Sequence, residues 1–132
     1  MFRADPVAIR RSLSRMLACP PLSGLGVEAR GAAELVLAEI LNNVAEHAYG
    51  AAGGTVEVTL SPDAGGVLCQ IVDAGRPMPN GRLPEGKLPA STAPLQDLPE
   101  GGFGWHLIRS LCADITYTRS EGRNRLMFLI PG

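Results

Sequence analysis

The most informative stretch of the chain is residues 39–49, which read EILNNVAEHAY. We predict a helix from about Val27 to Tyr49 that ends at Gly50. On a wheel of about 100° per residue, Asn43 and Glu46 each lie within about 40° of Glu39. This polar strip borders an arc of apolar side chains, which belong to Val36, Leu37, Ile40, Leu41, Val44 and Ala48. A polar strip at the edge of a core suits a ligand cleft and suits a solvated helix face equally well.

The segments on either side of this helix predict the other elements. An amphipathic helix begins at Pro6 and another helix follows Gly104, because apolar residues recur there at helical spacing. Strands are predicted at 55–60, 67–72, 115–119 and 126–130, with turns at 61–66 and 121–124. The pattern indicates one domain over residues 1–132. Its predicted fold is a two-layer α/β (α+β) sandwich, in which a mixed, mostly antiparallel sheet carries helices on one face.

Glycine and proline are enriched, at 16 and 11 of the 132 residues, and their positions locate a loop. Six of the prolines fall between 77 and 99, and five of those six recur at intervals of five residues. This spacing matches neither a helix nor a strand, and proline also removes backbone N–H donors. A loop of this length in a compact domain is typical of a functional segment. We therefore predict a lid over a ligand at about 76–101, with glycines near both ends as hinges.

The charge balance is nearly neutral, with 12 Lys and Arg residues against 13 Asp and Glu residues and a net charge of −1. Nucleic-acid binders usually carry a net basic surface, so we expect no nucleic-acid partner. No apolar run has the length of a membrane span, and residues 1–6 form no apolar leader, so we expect a cytoplasmic protein without a membrane partner. The cysteines at 19, 69 and 112 lack metal-type spacing and are predicted to be reduced thiols.

Two pairs of residues have the chemistry of a nucleotide site. Asn43 offers a hard oxygen ligand for Mg²⁺, and Glu39, one helical turn away, offers a proton acceptor. Asp73 follows a predicted strand and can accept a hydrogen bond from an exocyclic amine such as that of adenine, while Gly75 lets the backbone approach a flat ligand. Each pair also has an ordinary structural interpretation, as a solvated helix stripe and as an Asp-x-Gly turn.

A third segment, Gly101-Gly102-Phe103-Gly104, opens the last predicted helix. Glycines leave the backbone N–H groups accessible, and the positive end of a helix dipole favours phosphate oxygens. The segment lacks the Lys-Ser/Thr pair of a P-loop and does not follow a strand, which excludes the P-loop and dinucleotide-binding interpretations. Taken alone, it is equally consistent with a plain helix start.

Taken together, the helical Glu-x-x-x-Asn, the strand-end Asp-x-Gly, the long loop and the Gly-x-Gly helix resemble the GHKL (Bergerat) ATP-binding fold of histidine kinases, gyrase, Hsp90 and MutL. The chain most resembles the anti-sigma-factor serine/threonine kinases of the sporulation and general-stress type. That resemblance extends over about residues 7–130. It rests on residues 39–49, on residues 101–108 (GGFGWHLI) and on residues 122–126 (GRNRL).

The resemblance implies a role for each matching residue. Glu39 would be the catalytic base, Asn43 would ligate Mg²⁺, and Asp73 would bind the adenine amine with Gly75 against the ring. The cofactors would be ATP and Mg²⁺. The remaining ATP-binding residues would be Gly101, Gly102, Phe103, Gly104, Trp105 and His106.

The resemblance implies a regulatory kinase that phosphorylates a serine on a small anti-anti-sigma (STAS-type) partner, with a sigma factor as the alternative partner and a second copy of the chain as a dimer partner. Relatives often carry a basic lid residue where Pro99-Glu100 stand here, so a non-catalytic module that binds nucleotide and sequesters a partner is the second hypothesis. The third is the catalytic part of a sensor histidine kinase, although no helix pair with a phospho-acceptor histidine precedes the ATP-binding region. We also expect the family's first strand to be short or absent.

Overall fold

The structure is a computed structural model that describes residues 1–50, 53–81, 83 and 102–132. Within these ranges three helices and five strands form the domain. In chain order they are β1 (Phe2–Arg3), α1 (Pro6–Ala18), α2 (Val27–Asn43), β2 (Thr55–Asp63), β3 (Gly66–Asp73), α3 (Gly102–Leu111), β4 (Ala113–Ser120) and β5 (Arg123–Pro131).

The predicted two-layer fold is confirmed. The five strands form one sheet in the order β1-β2-β3-β5-β4, and the helices pack on one face of it. Each pairing among the described strands is antiparallel, so the sheet is antiparallel rather than mixed. The first strand has only two residues, and it pairs with the start of β2.

The two central strands build the floor of the core by alternation. In β3 and β5 every second side chain is buried beneath the helices, because successive side chains of a strand point to opposite faces. These positions hold Val67, Cys69, Ile71 and Asp73 on β3, and Asn124, Leu126, Phe128 and Ile130 on β5. Two polar residues, Asp73 and Asn124, thus occupy the final core-facing position at one end of β3 and of β5.

A local cap explains where α1 starts, and a change of helix type marks the end of α2. Asp5 caps α1, since its Oδ1 accepts a hydrogen bond of 2.9 Å from the backbone N–H of Ala8. The predicted helix from Val27 to Tyr49 is α-helical only as far as Asn43. The following Val44–Tyr49 segment forms one π-helical turn, termed the π turn below, which ends at Gly50 with φ of 60°. The prediction missed this change because π turns are single widened turns that retain helical spacing.

Both hairpin turns are tighter than predicted. The β2–β3 turn is not residues 61–66, because the strands continue to Asp63 and resume at Gly66. The predicted 121–124 turn consists only of Glu121 and Gly122, with φ values of 53° and 76°. Two successive positive φ values are typical of the two-residue turns whose twist matches that of antiparallel strands. Asn124 therefore belongs to β5 and not to the turn.

Most of the predicted lid at 76–101, including Gly101, lies outside the described residues. Its described beginning includes a short 3₁₀ turn, Pro79–Gly81. None of the helices in the described ranges is both long enough and apolar enough to cross a membrane. The same ranges contain no cluster of three or more His, Cys, Asp or Glu side chains that could hold a metal ion.

The three cysteines are free thiols in different environments, which predicts different reactivities. Cys19 is exposed, while burial raises the pKa of Cys69 to about 12 and that of Cys112 to about 11. Because the thiolate is the nucleophile, we expect iodoacetamide at pH 8 to alkylate Cys19 alone in the folded protein and all three after denaturation. Mass spectrometry of the labelled peptides checks this. Labelling of Cys69 as fast as that of Cys19 would contradict it.

Because of the same two thiols, Cys69 and Cys112, the free energy of unfolding decreases as the pH rises into the alkaline range. Their folded-state pKa values lie above the ordinary value of 9.0, so the unfolded chain loses these protons first as the pH rises. The two protonated thiols therefore contribute fully to the stability of the fold below about pH 9. This contribution is lost as the pH rises from about 9 to about 11 to 12. We expect the urea midpoint to fall over that window, and to fall less in a Cys69→Val variant.

Candidate functional site

A cleft of about 510 Å³ opens between the end of α2, the π turn, the end of β3 and the start of α3. Its size lies within the range of small-molecule sites, and its lining is largely apolar, as in most such sites. The described polar or charged residues on its wall are Asn43, His47, Asp73, Arg76, Tyr117 and Asn124. The apolar part of the wall includes Ile40, Ile71, Met78, Trp105 and Leu126.

Asp73 lines the cleft and is 7% exposed. Its Oδ1 accepts two hydrogen bonds, from the backbone N–H of Gly75 at 2.9 Å and from Nδ2 of Asn124 at 2.8 Å. A buried carboxylate requires such donors to offset its lost hydration. The predicted adenine acceptor is thus in the cleft, and the protein itself holds one of its two oxygens.

Asn124 connects this carboxylate to the segment that follows β3. Its Nδ2 also donates to the backbone carbonyl of Arg76 at 2.8 Å. Its Oδ1 accepts from the hydroxyl of Tyr117 and from Nη1 of Arg119. The same two residues hold the segment directly, since Tyr117 accepts from the N–H of Met78 at 3.0 Å and Arg119 donates to the carbonyl of Gly75 at 2.6 Å.

Sequence reasoning placed Asn124 in a turn and in the segment 122–126 that carries the resemblance, but it assigned no site role to Asn124, Tyr117 or Arg119. One signal could have revealed Asn124. It continues the every-second-residue pattern of Leu126, Phe128 and Ile130, so its polar side chain is expected to face the core. Tyr117 and Arg119 show no comparable signal, because their roles depend on the register between β4 and β5.

The π turn fixes the backbone after β3 from the opposite side. The carbonyl of Ala48 accepts from the N–H of Arg76 at 2.7 Å. The hydroxyl of Tyr49 accepts from the N–H of Ala74 at 2.7 Å and donates to the carbonyl of Thr55 at 2.6 Å. A Cβ at Gly75 would lie 2.5 Å from the Ala48 carbonyl oxygen. Contact with the π turn therefore requires glycine here, in addition to the predicted contact with an adenine ring.

This close approach predicts a cost for Gly75→Ala. Backbone atoms must move to admit the new methyl group, so we expect the free energy of unfolding to fall by about 1–3 kcal/mol. Gly31→Ala is the matched control, since a Cβ there meets nothing within 4 Å and helical glycine is disfavoured. The control should gain about 0.5–1 kcal/mol. Urea denaturation measures both, and equal stability of wild type and Gly75→Ala would contradict the contact.

Asn43 is the last residue of α2 and lies on the cleft wall. Its Nδ2 is buried and, among the described residues, has no hydrogen-bond partner. Native proteins rarely leave a buried amide unsatisfied unless a ligand, ion or water completes it. The cleft therefore contains an amide that a bound oxygen-rich group would satisfy.

Glu39 lies one turn before Asn43 and reaches α3. A Cβ at Gly104 would lie 2.7 Å from Oε2 of Glu39, so the carboxylate rests against the first turn of that helix. α3 begins at Gly102, earlier than the prediction of Trp105 as the first helical residue. The predicted base and the predicted phosphate-binding turn are thus adjacent.

The other predicted ATP-binding residues are distributed unevenly. Gly102 and Phe103 form the start of α3, Trp105 is 3% exposed and lines the cleft, and Gly101 lies outside the described residues. His106 is partly buried and is not among the described residues of the cleft wall. The structure thus places Asn43, Asp73 and Trp105 on the wall of one cleft. Glu39 lies beside Gly104, in the first turn of α3.

Comparison with known proteins identifies the family to which this domain belongs. The family model described as the histidine kinase-like ATPase domain matches residues 2–130. The blue-light activated histidine kinase of Erythrobacter litoralis EL346 has a similar fold, with a TM-score of 0.56 at 18% identity over 93% of this chain. The chain spans 42% of the length of that protein. No curated protein matches the sequence. The chain belongs to the histidine kinase-like ATPase domain family, and it is an ATP-binding domain of the GHKL type.

Proposed function

We propose that this domain is an ATP-dependent protein serine/threonine kinase that acts as an anti-sigma-type regulatory switch in the cytoplasm. Its substrate is a serine on a small anti-anti-sigma (STAS-type) protein, and a sigma factor is the protein it restrains. The observation that carries the proposal is the placement of Glu39 and Asn43 on one helix. Glu39 faces the first turn of α3, and Asn43 lies in the cleft that contains Asp73.

The residues present fit ATP and Mg²⁺. The amide oxygen of Asn43 is a ligand type that Mg²⁺ takes, and its unpaired Nδ2 can donate to a phosphate oxygen. The glycines that open α3 suit the phosphate oxygens as well. The carboxylate of Asp73 suits the amine of adenine. When bound, Mg²⁺ offsets the negative charge of the phosphate oxygens.

The protein contributes positioning and proton transfer. Asp73 and the apolar wall around Trp105 hold the base, while Asn43 fixes the other end of the nucleotide. Glu39 accepts the proton of the acceptor serine as its oxygen attacks, which requires a carboxylate within hydrogen-bond reach of that hydroxyl. The partner assignment rests on the sequence resemblance over residues 39–49, 101–108 and 122–126.

A phosphoryl-transfer assay tests the proposal. The purified chain is incubated with γ-labelled ATP, with or without Mg²⁺, together with the STAS-type proteins of the same organism. We expect acid-stable label on one serine of one acceptor, dependent on Mg²⁺ and lost when that serine is replaced by alanine.

Two other outcomes would contradict the kinase assignment. Acid-labile label on His47 or His106 would instead indicate a histidine kinase. Nucleotide binding without transfer to any acceptor would favour the partner-sequestering module, for which Pro99-Glu100 in place of a basic lid residue is the motivating observation.

A further inference from the structure

We infer that Asn124 is a positioning residue that makes the site selective for adenine over guanine, because it leaves Asp73 with one free acceptor oxygen. The inference deepens the proposed function and rests on nucleotide binding in the cleft. Two buried side chains carry it. Asp73 and Asn124 are 7% and 6% exposed, and they face each other in register across β3 and β5.

One oxygen of the Asp73 carboxylate is already saturated. Oδ1 receives an N–H from Gly75 and an N–H from Asn124, which together occupy its two lone pairs. Within the part of the chain that the structure describes, no hydrogen bond reaches Oδ2. Asp73 lines the cleft, so Oδ2 is the atom that remains for a ligand.

The orientation of the Asn124 amide is fixed by its other neighbours. Its Oδ1 accepts from Nη1 of Arg119 at 3.1 Å, and a guanidinium can only donate. Its Nδ2 donates to the carbonyl of Arg76 at 2.8 Å, and a carbonyl can only accept. A flipped amide would place donor against donor and acceptor against acceptor. Asn124 therefore always presents N–H to Asp73 and cannot release Oδ1 to a ligand.

The two purines differ in the group that they present at C6 to this single acceptor. Adenine presents one exocyclic amine at C6, which Oδ2 can accept. Guanine presents a carbonyl at C6, and its two donors, at N1 and at the 2-amino group, pair best with a carboxylate that has both oxygens free. With Oδ1 occupied, guanine in that orientation gains at most one bond to Asp73. In the orientation that adenine takes, the lone pairs of its C6 carbonyl face the carboxylate.

Calorimetric titration of the wild-type chain with ATP, GTP and ITP in the presence of Mg²⁺ tests the inference. ITP carries the C6 carbonyl of guanine without the 2-amino group. We expect ATP to bind at least about tenfold more tightly than GTP or ITP, because a site built for a hydrogen-bond donor at C6 rejects ligands that present a carbonyl oxygen there. We also expect GTP and ITP to bind within about threefold of each other, since a second donor finds no acceptor.

Asn124→Leu, which has similar size and no donor, frees Oδ1. In this variant the carboxylate can accept both guanine donors. We therefore expect GTP to bind about tenfold more tightly than ITP, and the preference for ATP over GTP to become smaller. Ile130→Ala is the control for lost stability, because Ile130 is buried at the far end of the same strand. The control should retain the wild-type selectivity.

The outcomes separate the two claims. If the wild-type chain binds none of the three nucleotides, the proposed function and this inference both fail. If it binds ATP but GTP binds about tenfold more tightly than ITP, only the role of Asn124 is overturned. The wild-type comparison decides this even if Asn124→Leu does not fold. Unchanged selectivity in a folded Asn124→Leu variant would also overturn the inference.

Discussion

Replacing Asn43 with alanine is expected to lower Mg²⁺-dependent phosphoryl transfer at least about 100-fold. The side chain lies on the cleft wall, where in the proposed function its amide oxygen would be a ligand of Mg²⁺ and its buried, unpaired Nδ2 would donate to a phosphate oxygen. Loss of one ligand costs several kcal/mol of charge stabilisation during transfer, because the phosphate oxygens are no longer held against the metal. Initial rates over a range of Mg²⁺ concentrations measure the effect.

The neighbouring residue provides a control for this change. Asn42 is exposed on the same helix turn, so Asn42→Ala should leave the transfer rate within about twofold of wild type. Binding of ADP without Mg²⁺ should also survive in Asn43→Ala, since the base-binding end at Asp73 is intact. Transfer by Asn43→Ala at the wild-type rate would contradict the metal-binding role.

Replacing Glu39 with glutamine is expected to lower phosphoryl transfer by about 10²- to 10⁴-fold, the usual contribution of a general base. Glutamine has nearly the same shape but cannot accept the proton of the serine hydroxyl. The affinity for ATP should remain within about threefold, because Glu39 lies against Gly104 and not on the described wall of the cleft. Single-turnover transfer and ATP titration measure the two quantities separately.

Glu34→Gln is the matched control, since Glu34 is an exposed carboxylate earlier on α2. It should leave both transfer and binding unchanged. Equal transfer by wild type and Glu39→Gln would show that another group takes the proton. Loss of ATP binding in Glu39→Gln would instead assign Glu39 a structural role at the start of α3.

The elements predictable from sequence were those with a strong local signal. The helix start at Pro6, the apolar run of β3 and the stop at Gly50 each depend on nearby residues, and the structure contains all three. Asp73 was found for the same reason, because it ends an apolar run and is followed two residues later by a glycine.

The remaining features depend on contacts between distant segments, which local pattern does not encode. Asn124 lies 51 residues from Asp73 in sequence, and their hydrogen bond exists only because β3 and β5 pair in register. The predicted partner of Gly75 was a ligand, whereas its described neighbour is Ala48 of the π turn. Helical periodicity is nearly the same for α and π turns over so few residues, so this contact had no sequence signature.

The most direct test of the central claim is calorimetric titration of the purified chain with ATP and ADP, with and without Mg²⁺. We predict saturable binding to one site at micromolar nucleotide, with ATP affinity increased by Mg²⁺ and reduced by Asn43→Ala. Absence of binding to either nucleotide at millimolar concentration would contradict the assignment of this cleft as an ATP site.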